Sequence, residues 1–75
     1  MSTLIAAIQA RLKPEAASIF DSEKIDHLIH THQTQCPGSW QDYDVVEMSD
    51  YFADALHQAA RDDETSSARI VMFYC

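Results

Sequence analysis

Glycine and proline are scarce in this chain, which has one Gly and two Pro among its 75 residues. Because these residues make most sharp reversals of a polypeptide, their scarcity favours helices over a many-stranded sandwich or barrel. A single glycine also excludes a glycine-rich phosphate-binding loop. A chain this short has little room for a catalytic cleft beside its core, and no serine or cysteine can be assigned a base from local spacing. We therefore expect a protein that is not an enzyme and uses no cofactor.

Cysteine and long apolar runs are equally rare. The two cysteines, Cys36 and Cys75, are too few for a disulfide framework. The longest apolar run, Ile70–Cys75, is far shorter than the roughly 20 residues that a membrane-spanning helix needs. Met1–Ala10 lacks the basic region and apolar core of a secretory signal. We therefore expect a cytoplasmic protein with reduced thiols and no membrane partner.

Basic residues are few, with 5 Lys and Arg against 12 Asp and Glu, for a net charge of −7. The imbalance is local, because residues 1–41 carry a net charge of −1 and residues 42–64 carry −7. A field of this sign repels nucleic acid and anionic membrane, so we expect no direct binding to either. It suits a basic protein partner instead. The alternative is a solvated face that only keeps the protein soluble.

The apolar pattern predicts two helices in the first half of the chain. The first begins at Ser2 or Thr3, carries a stripe from Leu4 to Leu12, and is interrupted before Pro14, with a short continuation. The second is capped by Asp21 and ends near Cys36, because Pro-Gly follows. Its inner face is expected to carry Ile25, Leu28, Ile29 and His32.

Trp40–Arg61 is predicted to form the third and longest helix. The residues from Ser39 to Asp42 fit the S-x-x-[DE] capping pattern, which favours a start at Ser39. A competing interpretation is a strand over Asp42–Met48 followed by a helix capped at Ser49, because the segment alternates loosely and contains two β-branched valines. The apolar face of the helix would carry Val45, Met48, Phe52, Ala55, Leu56 and Ala59.

Arg69–Tyr74 gives the strongest strand signal, being β-branched and aromatic without a helical period. The predicted fold class is therefore α+β and mostly helical, with three amphipathic helices plus a C-terminal β-strand in one domain over residues 1–75. A lone strand leaves backbone groups unpaired. We expect it to pair with residues near 43–48 or with the same segment of a second subunit, so that the protein is a monomer or a strand-paired homodimer.

The polar side of the third helix is the candidate binding surface. At 100° per residue, Glu47, Asp50 and Asp54 fall together on the far side of the helix from its apolar stripe. Carboxylates three or four residues apart on a helix are about 5–6 Å apart, roughly the scale of successive phosphates on a nucleic-acid strand. The candidate partner-binding residues are Trp40, Asp42, Tyr43, Asp44, Glu47, Asp50, Asp54, Asp62, Asp63 and Glu64.

In size, and in the charge pattern of residues 40–64, the chain resembles the small acidic inhibitors encoded by phages and plasmids that imitate nucleic acid. Anti-restriction and anti-CRISPR proteins are examples. The resemblance is one of size and charge pattern, not of a sequence motif. It implies a DNA mimic that occupies the nucleic-acid-binding site of a host nuclease, CRISPR effector or restriction complex. Glu47, Asp50 and Asp54 would then stand in for phosphates against the lysines and arginines of the partner.

Two other functions stay open. An antitoxin-like or adaptor subunit could bind a protein partner by adding the apolar C-terminal strand to the partner's sheet. A small metal-binding protein could use the histidines and the cysteine of the second helix, since imidazole and thiolate are ligands of zinc and nickel. His32 points away from the first two on a regular helix, so no metal ligand is assigned. The residues considered were His27, His30, His32 and Cys36, with His57 and Cys75 as distant additions.

Overall fold

The structure, a computed structural model, describes residues 3–63 and Ile70. This part of the chain contains four α-helices and one 3-10 helix, which confirms the mostly helical character. None of the described helices combines the length and apolarity needed to cross a membrane. In chain order the elements are α1 (Thr3–Arg11), α2 (Pro14–Ala17), α3 (Ser22–Gln35), the 3-10 helix (Pro37–Trp40) and α4 (Val45–Arg61).

The predicted α+β class with a C-terminal β-strand is wrong. No strand occurs among the described residues, and Ile70, the one described residue of the predicted strand Arg69–Tyr74, has a helical backbone and is 3% exposed. The other residues of that segment lie outside the described part. A short apolar run marks burial, and its pattern alone does not separate a strand from a buried helical segment.

Proline separates the first two helices as predicted. Pro14 occupies the first position of α2, where a missing N–H costs nothing. Lys13 before it has an extended backbone, with φ −73° and ψ 158°, because the proline ring excludes the α conformation at that position. The chain therefore changes direction between α1 and α2.

The N-terminal cap of α3 is also confirmed. Asp21 has an extended backbone, and its Oδ1 accepts a hydrogen bond from the backbone N–H of Lys24 at 2.9 Å. The helix ends before Cys36, whose backbone N–H donates to the carbonyl of His32 at 2.8 Å. The predicted inner face is buried at all four positions, namely Ile25, Leu28, Ile29 and His32.

Cys36 is buried and disulfide-bonded. The other cysteine of the chain, Cys75, lies outside the described residues. The expectation of reduced thiols is therefore wrong at Cys36. Two isolated cysteines in a sequence do not indicate whether the thiols are free or joined in a disulfide, because bonding depends on how closely the fold brings them together.

The long helix begins at Val45 and not at Trp40. Residues 37–40 form the 3-10 helix, and a short irregular segment joins it to α4. Asp44 caps α4 with an extended backbone, and its Oδ1 accepts a hydrogen bond from the backbone N–H of Val46 at 2.7 Å. Because the backbone is irregular before Val45 and helical after it, the helix capped at Ser39 and the strand over Asp42–Met48 are both wrong.

A signal for the true start was present in the sequence. Asp44 is followed three residues later by Glu47, which is the spacing that often marks the first turn of a helix. Ser39 offered the same spacing with Asp42, and Pro37 and Gly38 lie just before it. Two overlapping cap patterns cannot be ranked by local sequence alone. The tertiary contacts of Trp40, described below, favour the cap at Asp44.

α4 is the element against which α1 and α2 pack. α1 packs mainly on α4, α2 also contacts α4, and α3 contacts α1 and the 3-10 helix. Burial of each large apolar side chain in this core stabilises the fold by about 1.5–3 kcal/mol. The predicted apolar face of α4 is confirmed, with Val45 half-buried and the remaining positions buried, namely Met48, Phe52, Ala55, Leu56 and Ala59.

The start of α4 can be tested by removing each candidate cap. We expect Asp44→Ala to lower the free energy of unfolding by about 1 kcal/mol, because the N–H of Val46 loses its acceptor, and Asp44→Asn to retain most of the stability. Ser39→Ala should change it by less than about 0.5 kcal/mol. Urea unfolding followed by circular dichroism measures all three. A larger loss for Ser39→Ala than for Asp44→Ala would contradict the assigned helix start.

Candidate functional site

His32 lies at the centre of an aromatic cluster that joins α3 to the start of α4. Its side chain is 1% exposed, and the cluster rings Trp40, Tyr51 and Phe52 meet it edge to face at centroid distances of 5.6, 5.9 and 5.2 Å. Nε1 of Trp40 donates a hydrogen bond to Nδ1 of His32 at 2.8 Å. Because Nδ1 accepts this hydrogen bond, the ring is the neutral tautomer that carries its proton on Nε2. A neutral, buried ring with aromatic neighbours on several sides makes His32 a core residue.

Tyr43 extends this cluster to the surface. Its ring meets that of Trp40 edge to face at 5.0 Å, and the residue is 44% exposed. Trp40 and Tyr43, which were predicted to lie in the long helix, both precede α4. Trp40 is half-buried against the core, and Tyr43 carries the aromatic surface outward.

An open groove of about 490 Å³ runs between this cluster and the first turns of α4. The volume lies within the range of ligand-binding pockets. Three carboxylates line it beside two tyrosine rings, and none of the described lining residues is a lysine or an arginine. We call it the aromatic groove, and its lining residues are His32, Ser39, Asp42, Tyr43, Asp44, Glu47, Met48 and Tyr51.

The carboxylates of the aromatic groove have a partly structural origin. Asp44 caps α4, and Glu47 lies in the first helical turn, where the positive end of the helix dipole stabilises negative charge. Asp42 has no such role, since it is exposed and makes no hydrogen bond or ion pair with another described residue. Helix capping therefore explains two of the three acids, and all three present charge to the groove.

The middle of the predicted acidic stripe is partly neutralised. Asp50 Oδ1 lies 2.7 Å from Nε of Arg11, and Nη1 of Arg11 also donates to the carbonyl of Ala7 at 3.0 Å. The guanidinium is therefore held in place from two directions. The three predicted acids, Glu47, Asp50 and Asp54, are all exposed on α4. Asp50 differs from the other two because it forms an ion pair with Arg11 of α1.

Asp54 lies in a second groove, of about 520 Å³, with mixed charge. Here Nε2 of His57 accepts a hydrogen bond from the backbone N–H of Lys13 at 3.0 Å, which fixes the ring. The lining residues are Lys13, Glu15, Asp54, His57, Gln58 and Arg61, so two cations offset the two carboxylates.

The remaining predicted residues lie at the other end of α4. Asp62 Oδ2 accepts a hydrogen bond from Nε2 of Gln58 at 3.0 Å, and Asp63 has a left-handed backbone with φ 55°. α4 has 17 residues, so at about 1.5 Å per residue it separates these acids from the aromatic groove by roughly 25 Å. Glu64 lies outside the described residues. The predicted surface is thus split into two ends and a neutralised middle.

The histidines do not converge on a common point. Among residues 3–63 and Ile70, no group of three or more His, Cys, Asp or Glu side chains is placed to hold a metal ion. His27 and His30 are exposed, with Nδ1 of His30 3.7 Å from Asp26, while His32 is buried in the aromatic cluster. Cys36 is disulfide-bonded, so its thiolate is not available as a ligand.

Comparison of the chain with protein-family models, curated proteins and solved structures found no match. What the protein binds must therefore be inferred from the chemistry of its surface. Sequence reasoning did not place Ser39, Met48 or Tyr51 at a site, and it considered His32 at a site only as a metal ligand. The available signal was the recurrence of Trp40, Tyr43, Tyr51 and Phe52 within one acidic segment.

The hydrogen bond between Trp40 and His32 is expected to contribute measurably to folding. In Trp40→Phe, Nδ1 of the buried His32 loses its donor, so we expect the free energy of unfolding to fall by about 1–3 kcal/mol. Tyr43→Phe keeps the ring at an exposed position and should change stability by less than about 0.5 kcal/mol. Denaturant unfolding of both variants measures the difference. Equal stabilities would show that the bond has no net effect.

Proposed function

We propose that this protein is a small acidic inhibitor that binds a basic, nucleic-acid-binding protein and occupies its nucleic-acid site. The proposed target class is a host nuclease, a CRISPR effector or a restriction complex. The observation that supports this most is the aromatic groove, where Asp42, Asp44 and Glu47 surround exposed aromatic surface and no described lining residue is basic.

The chemistry of such a surface suits a phosphate-binding partner. Proteins that hold nucleic acid present lysine and arginine to phosphates, and clustered carboxylates offer those side chains an alternative set of oxygens. Asp supplies eight of the twelve acids. Its short side chain holds the charge close to the backbone and loses little entropy when it is fixed. Tyr43 adds an exposed ring of the kind enriched at binding hot spots.

The geometry changes the relative importance of the predicted residues. Asp50 is paired with Arg11, and Asp54 lies beside Lys13 and Arg61, so a partner would gain less from either carboxylate. Glu47 lies in the aromatic groove, where no described lining residue is a lysine or an arginine. We therefore propose that binding is centred on the aromatic groove and not on the middle of α4.

The adaptor hypothesis and the strand-paired homodimer both depended on the C-terminal strand, which the structure contradicts. The metal-binding hypothesis depended on ligands that do not converge in the described part of the chain. A purely solubilising acidic face remains the competing explanation. It predicts no selective partner.

A cytoplasmic location is part of this proposal, since the target complexes act on intracellular nucleic acid. Structural disulfides persist mainly in oxidising compartments, whereas the cytoplasm keeps thiols reduced. Cys36 is disulfide-bonded, so binding has to be compared with and without reductant. Inhibition of a cytoplasmic target requires that the reduced protein binds as well.

Affinity capture from bacterial lysate tests the proposal, with nuclease added to remove nucleic-acid bridges. The test variant carries Asp42→Asn, Asp44→Asn and Glu47→Gln, which remove three charges and keep a good helix cap at residue 44. The control variant carries Glu15→Gln, Glu23→Gln and Asp26→Asn, which remove three charges away from the groove. We expect the wild type and the control to retain a nucleic-acid-binding protein in low salt.

The test variant should lose most of that binding, and high salt should weaken it for the wild type, because charge contacts are screened. Added protein should also displace nucleic acid from the purified partner. Retention of the same partner by the test variant would show that the groove acids are not the site. A partner that still binds its nucleic acid normally in the complex would contradict the inhibitor function.

The pairing of Arg11 with Asp50 gives an independent test of the charge argument. Arg11→Gln exposes the full charge of Asp50, so we expect binding to the captured partner to tighten by up to about fivefold in low salt. Adding Asp50→Asn should reverse the gain. Because the pair is 33% and 65% exposed, Arg11→Gln should cost less than about 1 kcal/mol of stability. Weaker binding by Arg11→Gln would indicate that Arg11 itself contacts the partner.

A further inference from the structure

The aromatic groove has two kinds of wall. One is aromatic and polarizable, from Tyr43, Tyr51 and the Met48 side chain, with the ring of Trp40 meeting that of Tyr43 edge to face at 5.0 Å. The other is anionic, from Asp42, Asp44 and Glu47. A ligand that fits both walls must be cationic and must also present a face that packs on an aromatic ring.

The ring faces of tyrosine and tryptophan attract cations, and carboxylates nearby add charge attraction and hydrogen-bond acceptors. The second groove lacks this combination, because Lys13 and Arg61 lie among its carboxylates. Of these two grooves, the aromatic groove is therefore the better cation-binding surface.

We propose that the aromatic groove binds the side chain of an arginine in an exposed basic segment of the partner protein. The inference deepens the proposed function, on which it rests, by naming the group that is recognised and the place where it enters. The guanidinium packs on the ring of Tyr43 and donates hydrogen bonds to Glu47 and Asp42. The remaining acids of α4 contribute only long-range attraction.

Arginine fits this groove better than lysine does. Its planar guanidinium packs face to face on an aromatic ring and donates to two acceptors at once, whereas the lysine ammonium is compact and strongly hydrated. The carboxylates of the groove come from both sides of the cap residue, on the irregular segment and on α4. That placement supplies acceptors at more than one position around an inserted cation.

The test uses a defined peptide, Gly-Arg-Gly-Arg-Gly-Arg-Gly, with the full-length protein in low salt. Matched peptides carry lysine or neutral citrulline at the three arginine positions. Calorimetry gives the affinity. The protein has one tryptophan, so the indole N–H resonance of Trp40 in NMR spectra reports whether the peptide reaches the cluster.

We expect saturable binding of the arginine peptide with a shift of the Trp40 resonance, several-fold weaker binding of the lysine peptide, and citrulline binding weaker by about tenfold or more. Tyr43→Ala and Glu47→Gln should each weaken the arginine peptide several-fold. Tyr43→Phe should bind like the wild type because it keeps the ring. Val46→Ala, which truncates a neighbouring apolar side chain that is 56% exposed, is the matched control and should change nothing.

Equal binding of the arginine and lysine peptides, or binding that Tyr43→Ala and Glu47→Gln leave unchanged, would overturn the inference in favour of general charge attraction. Retention of the peptide without a shift at Trp40 would overturn it as well. The outcome is separable from the proposed function. If the groove triple variant loses a nucleic-acid-binding partner while the peptide fails to bind, the function stands and the arginine site does not. If the peptide binds in the groove but no such partner is captured, the arginine site stands and the proposed function does not.

Discussion

One hydrogen bond, from Nε1 of Trp40 to Nδ1 of His32, attaches the segment before α4 to the core. The backbone bond of the 3-10 helix from the N–H of Ser39 to the carbonyl of Cys36 is short-range, so the side chain of Trp40 provides the link to a distant residue. The bond holds Trp40 beside His32, and the ring of Tyr43 in turn meets that of Trp40 at 5.0 Å. His32 and Tyr43 both line the aromatic groove, so one wall of the groove depends on this contact.

The groove also depends on where α4 begins. Asp44 stabilises the helix by capping it, and Glu47 gains from the helix dipole, so folding by itself favours acids at this position. Asp42 and the exposed ring of Tyr43 are not explained by folding in the same way. A charged surface that contributes little to stability is free to serve binding. Asp42 and Tyr43 are therefore the groove residues that binding explains better than folding does.

Much of the fold could be predicted from local rules. Proline at residue 14, the cap at Asp21 and the apolar period of α4 each act within a few residues, and all three were read correctly. The start of α4 was predicted wrongly. Ser39 and Asp44 both satisfy a cap pattern, and the contact of Trp40 with the distant His32 favours the cap at Asp44. The C-terminal strand failed because burial and strand formation favour the same residue types. The pairing of Arg11 with Asp50 joins positions 39 residues apart, so no local pattern indicates it.

These differences change how the acidic composition should be interpreted. A net charge of −7 suggests a continuous negative surface along one helix. The fold instead places three of the five bases, Arg11, Lys13 and Arg61, beside the middle and the C-terminal half of α4. Only the first turn of α4 keeps carboxylates with no cation among the described residues of their groove. Since attraction falls with distance and with neighbouring opposite charge, a basic partner gains most where charge is left uncompensated beside aromatic surface. The positions of these three bases, more than the number of acids, therefore determine where such a partner would bind.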